Sequence, residues 1–263
     1  MEERINAKMF LEHLASRQGV TIDDYKIAPV VIGSWDHNLI KNIAEEFELE
    51  PLPNWTKNST VYNWRTNEQD VTFITLPVGA PSAVSTLEQL VARGAKVFIG
   101  IGFAGSLQPS VPVGSIVIAN NCIREEGTSY HYIKDNSEGL PSERLLGQLQ
   151  KAFDNEGIDS TTGGIWTTDA IYRELKSKVE DYRKKGIIGV EMETSALYVV
   201  GKFRGIEVCN VLAISDELWS DWNPQFGSEK LINTIETIKK GLLNNIDLFT
   251  ELADKLEDEG ATA

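Results

Sequence analysis

Short apolar runs alternate with amphipathic stretches along the chain, and their two periods separate strands from helices. Residues 28–33 (APVVIG) read as a buried strand closed by glycine. Leu39, Ile40, Ile43, Ala44 and Phe47 then recur at helical spacing, which predicts a helix over 38–47. Residues 71–76 (VTFITL) predict a second strand, followed by a turn at 77–81 and a helix to about Arg93 that Ser82 is placed to cap. Residues 96–102 (KVFIGIG) predict a third strand running into a glycine-rich turn at 102–105, and 114–119 (GSIVIA) a fourth. Beyond a polar loop come a helix over 145–153, a strand over 163–166 and a helix over 175–184. A strand over 186–190 leads through an acidic segment into a helix ending near Phe203. The apolar run 208–214 (VCNVLAI) predicts a further strand, stopping at Ser215-Asp216. Leu231, Ile232, Ile235, Ile238, Leu242, Leu243 and Ile246 stripe one long C-terminal helix. Doubly buried strands alternating with helices predict an α/β fold with a parallel or mixed sheet covered on both faces. With no internal repeat, linker or break in composition, one domain over 1–263 is expected.

Composition narrows the function classes. The chain has 263 residues with 25 Lys plus Arg against 39 Asp plus Glu, a formal charge of −14. So acidic a surface repels phosphate backbones, which argues against nucleic-acid partners. Two cysteines, Cys122 and Cys209, make no disulfide framework and fit a reducing cytoplasm. The histidines His13, His37 and His131 are scattered, so neither a metal nor a cofactor is implied. The start of the chain lacks the basic and apolar pattern of a secretion signal, and no run reaches the ~18–20 apolar residues of a membrane span.

Four strand ends carry unusual chemistry: 33–37 (GSWDH), 102–106 (GFAGS), 191–193 (EME) and Ser215-Asp216. Ligands of α/β sheets gather at such ends. Each also has a plain reading. Glycines make turns, Glu193 complements a helix dipole, and Ser215 or Asp216 caps a helix or turn.

In order along the chain, these segments resemble the nucleoside phosphorylase/nucleosidase superfamily, which includes hexameric purine nucleoside phosphorylase and uridine phosphorylase. The resemblance runs through 4–9 (RINAKM), 31–33 (VIG), 77–82 (PVGAPS), 101–109 (IGFAGSLQP) and 113–115 (VGS). It continues through 123–132 (IREEGTSYHY) and 189–197 (GVEMETSAL), the most specific match, to Ser215-Asp216. It implies a three-layer α/β/α sandwich around a mixed, partly barrel-like sheet. It also implies a dimer-based homo-oligomer, a hexamer, with sites at subunit interfaces, and cleavage of the ribosyl N-glycosidic bond of a nucleoside.

The resemblance assigns roles that chemistry supports. Glu193 accepts hydrogen bonds from the ribose 2′ and 3′ hydroxyls and favours the cationic sugar of the transition state. Met192 packs on the sugar face. Glu191 is a group that supports the site from behind or faces the base, or else a member of a structural ion pair. Asp216 is the general acid that protonates a departing purine, with a pKa that burial raises. An aspartate here resembles the purine-cleaving branch, whereas 123–132 resembles uridine phosphorylase. Ile171 and Tyr172 lie where the family places residues against the base. Arg4 corresponds to a residue given by a neighbouring subunit to the ribose 5′ end.

The phosphate pocket departs from the pattern. His37, beside Asp36, stands in place of one arginine, Gly100 in place of a second, and Phe103 in place of a hydroxyl residue. A third arginine, from the partner, aligns loosely with Lys57, and Gly33 retains a backbone N–H. Charge-assisted hydrogen bonds contribute about 1.5–3 kcal/mol each, so these losses weaken anion binding considerably. Three explanations compete. Inorganic phosphate, as co-substrate, is held by other groups such as His37, Lys57, Arg124 or Ser106; water attacks instead, activated by Asp36 or His37; or the chain binds nucleosides without cleaving them.

Overall fold

The computed structural model describes residues 3–52, 60–66 and 69–261. Among the described residues nine strands form one mixed sheet in the order β2-β3-β1-β4-β7-β6-β5-β8-β9, the last being the short β9 (Asn223–Pro224), and β4 also pairs with β8. That extra pairing closes β4 (Val97–Ser106), β7 (Ile187–Glu191), β6 (Thr161–Thr168), β5 (Ile116–Glu125) and β8 (Glu207–Glu217) into a five-stranded barrel. On the open side, β1 (Val30–Ser34) lies parallel between β4 and β3 (Asp70–Thr75), and β2 (Val61–Arg65) makes the edge.

Helices cover both faces, completing an α/β/α sandwich. Leu87 and Leu90 of α3 (Ala80–Ala92) and Leu197 and Val200 of α6 (Thr194–Arg204) bury against one face, with α1 (Ala7–Gln18) packed on α3. The other face takes α2 (His37–Glu46), α4 (Glu143–Asn155), α7 (Glu229–Leu243) and α8 (Ile246–Ala261), through Ile40, Phe153, Ile238 and Phe249. Near the barrel, α5 (Lys176–Lys184) packs beside β7.

The structure departs from the sequence pattern in four places. Residues 102–105 are no turn. They lie inside β4, and none of Gly100, Gly102 and Gly105 has positive φ. What these positions require is close approach by other side chains, not turn geometry. Ser82 caps nothing; Gly79 is the N-cap of α3 at φ 95°, a conformation that favours glycine. The C-terminal stripe is two helices. Buried Asn245 donates its amide to the carbonyls of Ala152 and Gly241 and so ends α7. Finally, α1 and β2 have little pattern to read: α1 buries only Leu11 and Ala15, and β2 only Val61.

No helix among the described residues is long and apolar enough to cross a membrane.

Candidate active site

The strands β3, β1, β4 and β8 are parallel, so their C-terminal ends share one edge of the sheet. β7 meets that edge from the opposite direction and overlaps β4 only at Gly105↔Val190 and Ser106↔Gly189. On its other side, Gly105 pairs with Asp216 of β8. Val190, Gly105 and Asp216 therefore lie in one row. Strand spacing puts the outer two about 10 Å apart, and Glu193 follows Val190 by three residues. The chain crossing there brings the segments that carry the two acids, distant in sequence, onto strands that flank Gly105.

Three buried acids near the start of α6 have distinct partners. Glu191 accepts from Thr167 Oγ1 at 2.5 Å, and its Oε2 accepts the backbone N–H groups of Glu193 and Thr194, both at 2.7 Å. It therefore caps the α6 N-terminus. Glu126 accepts from Ser195 Oγ at 3.0 Å and from Ser129 N at 2.8 Å, tying the 126–129 loop to the same helix. Glu193, at the N-cap position, makes no capping bond. Its Oε1 reaches across the edge to the N–H of Gly79 at 2.5 Å. The plain reading of Glu193 as a dipole complement thus belongs to Glu191.

Burial, and next the charge of Glu191, push the Glu193 carboxyl up to about 8; the Gly79 N–H opposes the shift. Burial likewise raises Glu191 against its three hydrogen bonds. A carboxyl raised above its unfolded value binds a proton in the native state that the unfolded chain has lost. Stability due to Glu193 is then full below about pH 4.5 and declines as pH rises to about 8. Glu193→Gln is expected to flatten that decline by up to one proton's worth of slope, measured as melting temperature from pH 4.5 to 8.5. An unchanged slope contradicts the assignment.

At the other end of the row, Asp216 is buried, and both its oxygens are occupied. Ser215 Oγ donates to Oδ1 at 2.8 Å and Trp222 Nε1 to Oδ2 at 2.9 Å. Gly105 leaves room here: a Cβ would lie 3.3 Å from Oδ2 and displace the end of the Leu218 side chain. Half-buried Glu174 is pushed up to about 7, by burial first and then by the negative charge of Asp216.

The corner that the sequence reads as a phosphate pocket is built otherwise. The Trp35 indole lies over β4: a Cβ on Gly100 would sit 3.2 Å from Cζ3, and one on Gly102 3.0 Å from Cε3. Its N–H donates to Pro77 O at 3.0 Å, joining the loops after β1 and β3. Asn210 fills the rest of the space at Gly100, with its amide donated to Thr194 Oγ1 and its Oδ1 buried without a hydrogen-bond partner among the described residues. Phe103 does not line this corner. It packs on the opposite face with the cluster of Ile101 and Ala213, because alternate residues of β4 face opposite ways. Gly33 lies between Ile74 and Gly100 inside the sheet, where its N–H belongs to the ladder.

Asp36 is the N-cap of α2, accepting from Asn38 N, and His37 is exposed in the first turn of that helix. Arg124 is spent on Ser129 Oγ and on the carbonyls of Ile133, Asp135 and Ser137. Ser106 bonds within its own turn to Gln108. Lys57 lies outside the described residues.

Met192 is half-buried between Glu191 and Glu193. Ile171 and Tyr172 occupy a short 3-10 turn after β6 and are 48% and 96% exposed. Arg4 is exposed. Its neighbours Glu3 and Ile5 line a cavity of about 960 Å3 that also borders Pro81, Gly127, Asp169 and Arg204. Sequence reasoning assigned nothing to Trp35, Gly79, Glu126, Thr167, Glu174, Asn210 or Trp222. Trp35, Gly79 and Glu126 sit inside segments the sequence singled out, and the other four carry no local signal. Among the described residues no group of three His, Cys, Asp or Glu side chains is arranged to hold a metal ion.

Comparison with known proteins places this architecture. A family model described as the phosphorylase superfamily matches residues 30–241. A guanosine phosphorylase of Halorubrum lacusprofundi is 22% identical over 234 residues, covering 89% of this chain and 95% of the relative. A solved purine nucleoside phosphorylase of Toxoplasma gondii, in complex with immucillin-H, superposes with TM-score 0.79 at 24% identity, over 88% of this chain and 94% of that one. A uridine phosphorylase of Vibrio fischeri, complexed with 6-hydroxy-1-naphthoic acid, superposes with TM-score 0.71 at 27% identity, over 89% and 94%.

Proposed function

The chain belongs to the phosphorylase superfamily, and from that premise we propose that it breaks the bond between ribose and base in a nucleoside, a purine first, with inorganic phosphate as acceptor. The observation that carries this reading is Glu193. A helix-start carboxylate left out of capping its own helix by Glu191, and turned instead to the Gly79 N–H, supports a role towards a ligand.

The chemistry divides between the two acids. The sugar becomes cationic as the bond stretches, and a buried carboxylate near C1′ stabilises it while accepting from the 2′ and 3′ hydroxyls. The base leaves as a neutral molecule when its N7 receives a proton, which is the part of Asp216. Met192 lies against the sugar. Ile171 and Tyr172 flank the base, and Arg4 reaches the 5′ end of a neighbouring subunit's ribose in a dimer-based hexamer. No metal or cofactor takes part, and a cytoplasmic location suits the nucleoside and phosphate pools.

A specific observation favours a second reading, in which water is the nucleophile. The indole of Trp35 and the amide of Asn210 fill the space above Gly100, so an arginine-lined anion site has no room there. Asp36 and His37, at the start of α2, are the groups left to orient water. The reading in which nucleosides bind without cleavage draws on the same corner.

Purified protein incubated with inosine, adenosine, guanosine and uridine, with and without phosphate, separates these readings. Free base that appears only with phosphate, faster from a purine than from uridine, is the expected result. Equal release without phosphate moves the reaction to hydrolysis. Binding without release over hours overturns catalysis, since enzymatic turnover is ordinarily about 1–1,000 per second.

A further inference from the structure

Trp222 combines two properties that rarely meet in a side chain with only a packing role. Its indole is 64% exposed, and yet its N–H is held on the buried Asp216 at 2.9 Å. Most large exposed aromatics need no explanation. An indole pinned by its polar end to a buried acid, with its faces left to solvent, is placed as a wall of whatever meets that acid.

The placement is built by the backbone. After β8 the chain loops out and returns as β9 (Asn223–Pro224), pairing Asp216 with Pro224 and Glu217 with Asn223. This short hairpin holds Trp222 beside the strand end. Across from it, Gly105 offers bare backbone to the Asp216 carboxylate, and Glu174 lies close enough for its charge to interact with that of Asp216. A flat heterocycle touching Asp216 with one ring nitrogen therefore meets an aromatic wall beside it.

We propose that Trp222 is the specificity-determining residue of the base end: its indole face stacks on the heterocycle, while its N–H fixes the Asp216 carboxylate. The inference rests on the reading of Asp216 as the base-facing acid. A purine bicycle overlaps an indole over more area than a uracil ring, so the stacking favours purines.

Two variants separate stacking from the hydrogen bond. Trp222→Phe keeps a ring and loses the N–H; Trp222→Ala loses both. Base–aromatic stacking measured by alanine substitution corresponds to roughly 10–100-fold in affinity. Calorimetric titration of hypoxanthine and of uracil into the full-length protein is the primary readout, with KM for inosine and uridine as the second. Trp222→Ala is expected to weaken hypoxanthine about 10–100-fold and uracil much less. Trp222→Phe is expected to recover most of the hypoxanthine affinity while kcat still falls. The inference is overturned if folded Trp222→Ala binds hypoxanthine like the wild type. It is equally overturned if Trp222→Phe loses as much affinity as Trp222→Ala, since the ring face then does nothing. Wild type that binds bases but releases none from nucleosides defeats the catalytic reading alone, and the titrations still decide the role of Trp222.

Discussion

Replacing Glu193 by glutamine is expected to lower kcat/KM on nucleosides by about a thousandfold or more, in a protein that still folds. The substitution is nearly isosteric, and a glutamine Oε1 still accepts from the Gly79 N–H that holds Glu193. What it removes is the negative charge beside the developing ribosyl cation. One preorganised electrostatic contact of this kind is worth about 10²–10³ in kcat, and a full charge in a water-poor site sits at the upper end or beyond.

The pH profile identifies the group. In the empty site Glu193 is pushed up to about 8 by burial and by Glu191, so the ionised form needed for catalysis grows in as pH rises. Wild-type kcat/KM, which reports the free enzyme, is expected to climb towards an apparent pKa near 8, and Glu193→Gln is expected to lack that limb. A variant with more than a tenth of the wild-type rate removes Glu193 from the chemistry.

Asp216→Asn is expected to lower kcat on natural purine nucleosides by about 10²–10⁴ while leaving KM close to wild type. Asparagine can keep its carbonyl oxygen towards the donor-only Trp222 N–H and turn its amide to Ser215 Oγ, which also accepts, but it cannot give up a proton. A substrate whose leaving group needs no proton, such as p-nitrophenyl riboside, isolates this step. Its cleavage is expected to be nearly unaffected by the substitution. Equal losses on inosine and on the nitrophenyl riboside mean that Asp216 shapes the pocket and moves no proton.

Periodicity carried the strand and helix order because buried strands such as 71–76 and 208–214 are apolar along their length, and α2 is strongly one-faced. It failed where burial is slight, as at α1 and β2. It failed also where one polar side chain overrides the pattern, as at Asn245, whose amide ends a helix that the apolar stripe would continue. The glycines at 100, 102 and 105 were legible as special, but the reason was not. Trp35 and Asp216 arrive from other strands, and no local pattern announces a neighbour 65 or 111 residues away along the chain.

The acids divided in the same way. Glu193 and Asp216 stand out in the sequence through motifs at strand ends. The division of labour by which Glu191 caps the helix and leaves Glu193 free depends on two backbone N–H groups and a threonine on β6. Phe103 shows the reverse case. Its place in the motif suggested the anion corner, and strand alternation turns it to the other face. Trp35, two residues after Gly33, fills that corner instead.

The most direct test is a crystal structure of the protein with a purine C-nucleoside, whose carbon–carbon linkage resists cleavage. Ribose 2′ and 3′ hydroxyls within about 3 Å of the Glu193 carboxylate, and a ring nitrogen of the same molecule within about 3 Å of Asp216, are expected. A ligand seated away from that edge, or touching one acid with the other pointing elsewhere, contradicts the claim that the two act on one glycosidic bond.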